Sequence, residues 1–190
     1  EIMAGHYRGP FHGIPVGIKD LTDTAGIRTT YGSASWQDYL PQEDGEIVRR
    51  LKEAGAIVVG KTATHEVGFG ATTNNPFFGP TRNPWKKEHI PGGSSGGSGA
   101  ALAADLVISA NGSDGGGSIR IPSCFCGIIG LKPTLGLISR FGLMGPGLST
   151  CGVEGPMGKT VMDCALMLQV MAGTDPRDPF TRPVPIPDYA

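Results

Sequence analysis

Two segments rich in glycine and serine, residues 91–100 and 111–120, carry the residues with the clearest potential for chemistry. Each leads from extended chain towards a helix, and a turn of this kind points several backbone N–H groups at one place, where negative charge is stabilised. Flexible linkers share this composition, but apolar runs typical of buried helices and strands flank these two segments. The pattern therefore favours a site for an anion or for an oxyanion that forms during a reaction.

Two well-known catalytic motifs match the sequence in spelling but not in context. Residues 55–62 fit the phosphate-binding pattern G-x-x-x-x-G-K-[ST], but the four middle residues are predicted to form a strand whose N–H groups pair within a sheet. Residues 93–97 fit the G-x-S-x-G nucleophile elbow around Ser95, which requires an acid and then a histidine further along the chain. All the histidines precede Ser95. Neither nucleotide binding nor an α/β-hydrolase triad is expected.

Composition argues against several classes of protein. The 16 basic and 17 acidic residues give a net charge of −1, which disfavours a nucleic-acid binder and a membrane-surface protein. No apolar run approaches the roughly 20 residues that span a bilayer. Cys124-Phe125-Cys126 lacks a second pair, and His65-Glu66 lacks a second histidine, so no metal site is predicted. The four cysteines are expected to be small buried hydrophobes in a reduced, cytoplasmic protein.

The alternation of strand and helix patterns predicts one α/β domain built on a mixed sheet over residues 1–174. Residues 175–190 hold five prolines and no periodicity, which predicts a tail or linker. Asp44 is predicted to cap the first helix, and Thr160 with Asp163 forms a capping-box pattern at the start of the last one. The predicted strands are residues 14–18, 56–59 (fully buried) and 106–109; the predicted helices are residues 46–54, 100–104 and 160–172.

Three landmarks make the sequence resemble the amidase signature family of serine hydrolases. They are Lys19-Asp20 and the segments 92–98 and 112–120. Lys19 lies 75 residues before Ser94, and Ser94 lies 24 before Ser118, the spacings that the family pattern requires. The resemblance implies a mixed-sheet core flanked by helices. Family members are usually more than twice as long, so we expect this chain to be a truncated core without the usual C-terminal part.

The resemblance implies a Ser–Ser–Lys triad. Ser118 is the expected nucleophile, Ser94 the bridging serine held by a cis peptide bond, and Lys19 the general base that draws a proton through Ser94. Lysine must be neutral for this role, and burial behind the strand at residues 14–18 would lower its pKa from about 10.4. Asp20 would oppose that shift only if it faced the amine, and adjacent strand residues point to opposite sides.

The backbone N–H groups of Gly115, Gly116, Gly117 and Ser118 are expected to form the oxyanion hole. Three successive residues without a Cβ let a carbonyl oxygen approach the backbone closely. The other residues assigned to the site are Asp114 and Arg120, which would support the turn by pairing or capping; Ser95, which is placed on the oxyanion and substrate side, and Ser113, both of which can also hydrogen-bond the loop; and Gly68 and Phe69, which the resemblance places at the substrate pocket.

The implied reaction is acyl transfer, in which Ser118 attacks an amide carbonyl and water then hydrolyses the acyl-enzyme. Carbamates and esters would pass through a similar tetrahedral oxyanion, and no metal or organic cofactor is needed. An exposed sheet edge would favour a homodimer. Two alternatives stay open: the glutaminase-like component of a tRNA-dependent amidotransferase, which delivers ammonia to a partner, and an inactive fragment. By the resemblance, the glutamine-binding residues would lie in the absent C-terminal part.

Overall fold

A sheet with both parallel and antiparallel strands forms the centre of the computed structural model, which describes residues 1–144 and 151–190. The strands are β1 (Pro15–Lys19), β2 (Ile57–Thr62), β3 (Asn74–Asn75), β4 (Gly79–Pro80), β5 (Ser109–Asp114), β6 (Ile129–Gly130) and β7 (Val153–Gly158). The main sheet has the order β2–β1–β5–β7–β6, with β1 parallel to β2 and β5, and β7 antiparallel to β5 and β6. β3 and β4 form a separate antiparallel pair. The predicted mixed sheet is confirmed.

Within the described residues, four α-helices pack against the sheet in two hydrophobic clusters. They are α1 (Glu46–Glu53), α2 (Gly96–Ala103), α3 (Arg120–Cys126) and α4 (Val161–Met171). One cluster joins β1 to α1 and α4 through residues such as Ile18, Leu51 and Met167. The other joins β5 and β7 to α2 and α3 through residues such as Leu102 and Met157. Among the described residues, no helix has both the length and the apolar character needed to cross a membrane.

The alternation of side chains along β1 places Lys19 on the opposite face from the larger apolar cluster. Val16 and Ile18 are fully buried and belong to the cluster with α1 and α4. Because successive strand residues point to opposite faces, Lys19 lies on the other side of the sheet. The parallel strands β1 and β5 both end at the same edge, so Lys19 and the last residues of β5 come close together.

The helix boundaries confirm some of the predicted signals and correct others. At α4, the Thr160 hydroxyl accepts from the Asp163 N–H and the Asp163 carboxylate accepts from the Thr160 N–H, so the predicted capping box is confirmed. At α1 the predicted cap was wrong: Gly45 occupies the N-cap, and the Asp44 side chain instead accepts from the Ala25 N–H and pairs with Lys52. The helix α2 begins at residue 96, four residues before the helix core predicted at residues 100–104.

Two strand predictions were wrong in burial or position. The strand predicted at residues 56–59 is β2, but Ile57 and Val59 are 54% and 56% exposed, because β2 is an outer strand of the main sheet. The strand predicted at residues 106–109 begins only at Ser109, and Leu106 and Ile108 are exposed. The polar residues of β5 form a strand because β1 and β7 hydrogen-bond to its two sides. Tertiary pairing overrides their weak intrinsic preference for strands.

The predicted burial of the cysteines is correct for two of the four. Cys126 and Cys164 are buried, and burial raises the pKa of both thiols to about 11. Cys124 and Cys151 are exposed. Cys124 differs from its neighbour Cys126 because the two occupy different faces of α3, only one of which packs on α2 and the sheet.

The first part of the proline-rich segment packs on the rest of the chain, although no helix or strand follows α4. The buried Asp175 accepts a hydrogen bond from the hydroxyl of Ser139. Asp178 accepts from the backbone N–H of Arg140, whose guanidinium lies 4.3 Å from the ring centre of Phe180. These contacts attach the segment after α4 to the chain around residue 140.

Candidate active site

Lys19 ends β1 with a fully buried side chain that contacts two serines. Its Nζ donates to Ser94 Oγ and to Ser113 Oγ, each at 2.8 Å. Burial lowers the pKa of Lys19 to about 7, against the opposing influence of the negative charges on Glu154 and Asp114. A lysine with this pKa is about half neutral at pH 7, and the neutral amine is the form that a general base requires.

Asp20, the next residue, faces away from the amine of Lys19, as the alternation along the strand predicted. Its carboxylate accepts from the N–H and the hydroxyl of Thr30 and lies 3.9 Å from Lys61 Nζ. Burial raises the pKa of Asp20, while the Thr30 hydrogen bonds and the charge of Lys61 act in the opposite direction. The charges that act on Lys19 therefore come from Glu154 and Asp114 and not from its neighbour in sequence.

Ser94 lies in the turn before α2, and the peptide bond between Gly93 and Ser94 is cis. Its carbonyl oxygen accepts from the His65 N–H and from the Thr73 hydroxyl. The first turn of α2, which follows Ser94, approaches the backbone after β2 so closely that a Cβ at Gly97 would lie 2.2 Å from the backbone N of Ala63. Glycine is needed there because any side chain would collide with that backbone. These contacts fix the position of the Ser94 hydroxyl against Lys19.

Ser118 lies in the turn between β5 and α3, with a half-buried side chain. The Ser118 carbonyl accepts from the Ser95 N–H at 3.2 Å, which joins this turn to the one that carries Ser94. Within the described part of the chain, the Ser118 hydroxyl has no hydrogen-bond partner, including Ser94 and Lys19. Its rotation about Cα–Cβ is therefore not restricted by a hydrogen bond.

Asp114 organises the turn that precedes Ser118. Its buried carboxylate accepts from the N–H groups of Gly117, Ile119 and Arg120 and pairs with both ends of the Arg120 guanidinium at 3.0 Å. Burial raises the pKa of Asp114, but the hydrogen bonds from Arg120 and from the backbone outweigh it, so the pKa lies below its ordinary value. The supporting contacts expected of Asp114 and Arg120 are present.

The glycines before Ser118 divide into two kinds by their hydrogen bonds. The Gly117 N–H donates to Asp114 Oδ1 at 2.7 Å, so in this structure it is already engaged. Across residues 1–144 and 151–190, the N–H groups of Gly115, Gly116 and Ser118 have no acceptor, and Gly115 and Gly116 are exposed. Three of the four N–H groups that the sequence analysis assigned to an oxyanion hole thus have no acceptor among the described residues.

An open cleft of about 720 Å³ lies over this turn. Ser118, Gly115 and Gly116 line it, as do the predicted wall residues Gly68 and Phe69, the latter 89% exposed. A Cβ on Gly68 would lie 3.8 Å from Ser94 Oγ, which places the hydroxyl of Ser94 next to this wall. Apolar side chains also line the cleft, among them Leu21, Val67, Ile121, Leu143 and Met144.

Ser95 does not reach the cleft, although the sequence pattern had suggested a place on the substrate side of the site. It is fully buried, and its hydroxyl bridges the N–H and the C=O of Ser113 at 3.3 Å. Ser95 therefore makes the hydrogen bonds to the loop that were expected of it. The Ser95 hydroxyl therefore fixes Ser113, whose own hydroxyl contacts Lys19.

The sequence did not predict the roles that three residues near Lys19 have in the structure: Ser113, Asn111 and Glu154. Ser113 was expected only to hydrogen-bond the loop, whereas it is the second acceptor of the Lys19 amine. Asn111 lies in the part of β5 beyond the strand predicted at residues 106–109, and Glu154 lies in β7, a strand that the sequence pattern did not predict. A largely polar strand such as residues 109–114 gives no alternation signal from which these contacts could be inferred. The described residues hold no cluster of three or more His, Cys, Asp or Glu side chains suited to a metal ion.

A family model described as Amidase matches residues 1–190, the whole chain. The chain belongs to the amidase family. This assignment agrees with the resemblance seen in the sequence and with the mixed sheet of the fold.

Several proteins are similar to this chain over all or nearly all of its length. The A subunit of the glutamyl-tRNA(Gln) amidotransferase of Carboxydothermus hydrogenoformans is 51% identical over 189 residues, which are 100% of this chain and 39% of that protein. The structure of the native peptide amidase of Stenotrophomonas maltophilia superposes on this chain with a TM-score of 0.91 and 40% sequence identity. The match covers 100% of this chain and 40% of the peptide amidase. The corresponding glutamyl-tRNA(Gln) amidotransferase chain of Thermotoga maritima has a TM-score of 0.91 at 45% identity, covering 95% of this chain and 40% of that one. The chain spans about two-fifths of the length of these relatives.

Proposed function

We propose that the protein is an amide hydrolase in which Lys19, Ser94 and Ser118 act as a triad. The observation that carries the proposal is the fully buried Lys19, whose amine lies 2.8 Å from Ser94 Oγ at the base of the site where Ser118 lines an open cleft. The lowered pKa of about 7 supports a base that is neutral at physiological pH.

In the proposed reaction, neutral Lys19 accepts the proton of the Ser94 hydroxyl, which in turn takes the proton of Ser118. The oxygen of Ser118 attacks the carbonyl carbon of the amide, and the N–H groups of Gly115, Gly116 and Ser118 stabilise the oxyanion. The leaving amine takes a proton back from the relay, and water hydrolyses the acyl-enzyme by the same route. Carbamates and esters fit the same chemistry.

A second candidate is the ammonia-producing component of an amidotransferase. It is favoured by the 51% identity to the A subunit of a glutamyl-tRNA(Gln) amidotransferase. Such a protein would use the same triad on glutamine, and we expect it to need a partner protein for productive turnover. Comparing turnover of glutamine, simple amides and carbamates, with and without candidate partner proteins, would separate the two functions.

Labelling with a fluorophosphonate, followed by measurement of intact mass, tests the triad itself. We expect one adduct on the wild-type protein, none on Ser118→Ala, and much slower labelling of Ser94→Ala and Lys19→Met. The exposed Ser35, substituted in Ser35→Ala, is the matched control and should label like the wild type. Equal labelling of Ser118→Ala and the wild type would contradict the assignment of the nucleophile, and no labelling of any form would favour an inactive fragment.

A further inference from the structure

Glu154 is a fully buried carboxyl group that the proposed reaction does not use. It lies in β7, opposite Ser113 of β5 in the strand register. Its Oε1 accepts from the Thr22 hydroxyl at 2.6 Å and from Asn111 Nδ2 at 3.0 Å, while its buried Oε2 has no hydrogen-bond partner within the described residues. A buried carboxyl group that is only half satisfied is costly, so its presence calls for a role.

The two residues that bind Glu154 also hold the main chain of Lys19. Asn111 Oδ1 accepts from the Lys19 N–H at 2.7 Å, and the Thr22 N–H donates to the Lys19 carbonyl at 3.0 Å. Asn111 Nδ2 also donates to Thr22 Oγ1 at 3.1 Å, which closes the network. Glu154 thus fixes Lys19 through a side-chain network that spans β7, β5 and the end of β1.

The charged groups around this network indicate that Glu154 and Lys19 also interact electrostatically. Lys19 from β1 and Lys61 from β2 attract the Glu154 carboxylate, and Glu154 and Asp114 are the carboxylates that act on Lys19. Asp114 is held by Arg120, and Lys61 lies beside Asp20. Burial raises the pKa of Glu154 to about 7, against the hydrogen bond from Thr22 and the charge of Lys19. The two carboxyl groups that act on Lys19 thus differ in their partners: Asp114 pairs with Arg120, whereas Glu154 accepts hydrogen bonds from neutral donors.

We propose that Glu154 is a positioning residue for the amidase reaction: through Thr22 and Asn111 it fixes the backbone of Lys19, and its charge governs how readily Lys19 binds and releases a proton. A negative Glu154 stabilises the ammonium form of Lys19, which exists after Lys19 has taken the proton from Ser94. This inference rests on the proposed function for its catalytic meaning, but the coupling between Glu154 and Lys19 is a property of the folded protein and can be measured without turnover.

The test is to follow the titration of the Lys19 side chain by NMR in the full polypeptide, labelled with ¹³C and ¹⁵N at lysine. The Lys19 signal is assigned by its loss in Lys19→Met, and the Lys61 signal by its loss in Lys61→Met. In Glu154→Gln the carboxylate charge is removed while one oxygen remains to accept from Thr22 and Asn111. We expect the midpoint of the Lys19 titration to fall by about 1 pH unit, in the range that loss of a nearby opposite charge produces.

An unchanged Lys19 midpoint in folded Glu154→Gln would overturn the proposal, because a carboxyl group with a purely structural role would not move it. If Glu154→Gln does not fold, the reciprocal measurement decides: the Glu154 carboxyl signal is titrated in the wild type and in Lys19→Met. Coupling is reciprocal, so loss of the Lys19 charge should raise the Glu154 midpoint by a similar amount. A midpoint that stays constant would equally overturn the proposal.

Where turnover is found, the acid limb of the kcat/KM profile should move with the Lys19 midpoint. Absence of turnover in all forms would count against the proposed function alone.

Discussion

Lys19 contacts two hydroxyl groups at the same distance, and the surroundings of these hydroxyls differ. Ser94 is almost fully buried beside Gly68 and belongs to the turn before α2, whereas Ser113 lines the cleft from the end of β5. The Lys19–Ser94 contact agrees with the arrangement that the resemblance implied. The Lys19–Ser113 contact could not be predicted, because it depends on how β5 and β1 align in the sheet.

The proposed base predicts the direction of the pH dependence. Lys19 must lose its proton to act, and burial lowers its pKa to about 7, so kcat/KM should fall about tenfold for each pH unit below that value. The measurement is kcat/KM for a neutral amide between about pH 4 and pH 9, where the substrate itself does not titrate. Activity that stays level down to the pH range in which carboxylates titrate, about 4, would show that Lys19 is not the base.

The two serines that contact Lys19 should differ in their effect on rate. Ser94→Ala removes the proposed proton relay and should lower kcat by about 10²–10⁴-fold, the usual contribution of general acid–base catalysis. Ser113→Ala removes only a second hydrogen bond to Lys19 and should lower kcat by about tenfold or less, as expected for one hydrogen bond. Steady-state kinetics on both variants, with circular dichroism as the check on folding, gives the comparison. A larger loss in Ser113→Ala than in Ser94→Ala would reverse the assigned roles.

At the scale of elements, the site is built where the ends of β1 and β5 meet the turns that begin α2 and α3. The helix α4 could be predicted because its capping box and apolar spacing are local signals. The course of β5 beyond Ser109 could not, because these polar residues and a glycine form a strand only when β1 and β7 supply hydrogen bonds. The sequence showed that the glycines near Ser94 are unusual. The structure shows why glycine is needed there: these positions pack closely against residues 63 and 72–73.

The packing of α2 predicts different outcomes for two glycine substitutions. A Cβ at Gly97 would lie 2.2 Å from the backbone N of Ala63, so Gly97→Ala should destabilise the protein by about 1–3 kcal/mol or more, because the backbone must move. A Cβ at Gly116 would have nothing within 4 Å, so Gly116→Ala should keep its thermal stability. Differential scanning calorimetry measures both. Equal melting temperatures for the two variants would contradict the close packing at Gly97.

At the scale of the whole molecule, the outer face of the sheet is only partly covered. The outer strand β2 pairs with β1 alone within the described residues, and its Ile57 and Val59 are more than half exposed. The relatives are more than twice as long as this chain, so their additional residues have no counterpart among these 190. An outer strand with exposed apolar residues is a site where chains associate.

The exposed strand predicts self-association of the 190-residue polypeptide when it is produced alone. Sedimentation velocity at increasing concentration should show dimers or larger species. Val59→Lys places a charge on the outer strand without altering the buried core, and it should shift the distribution towards monomer. Phe69→Ser, at the exposed cleft wall, is the matched control and should leave the association unchanged. A monomer at all concentrations, or association that Val59→Lys leaves intact, would contradict this prediction.

The packing of the segment after α4 has a consequence for recombination between related enzymes. Asp175 and Asp178 hold Ser139 and Arg140, and Arg140 lines the cleft together with Leu143. A chimera whose crossover point falls between α4 and residue 175 would join the cleft wall of one parent to the anchoring carboxylates of another. Exchange of substrate preference between homologous enzymes should therefore succeed when residues 138–144 and 175–181 are inherited together, and fail more often when they come from different parents.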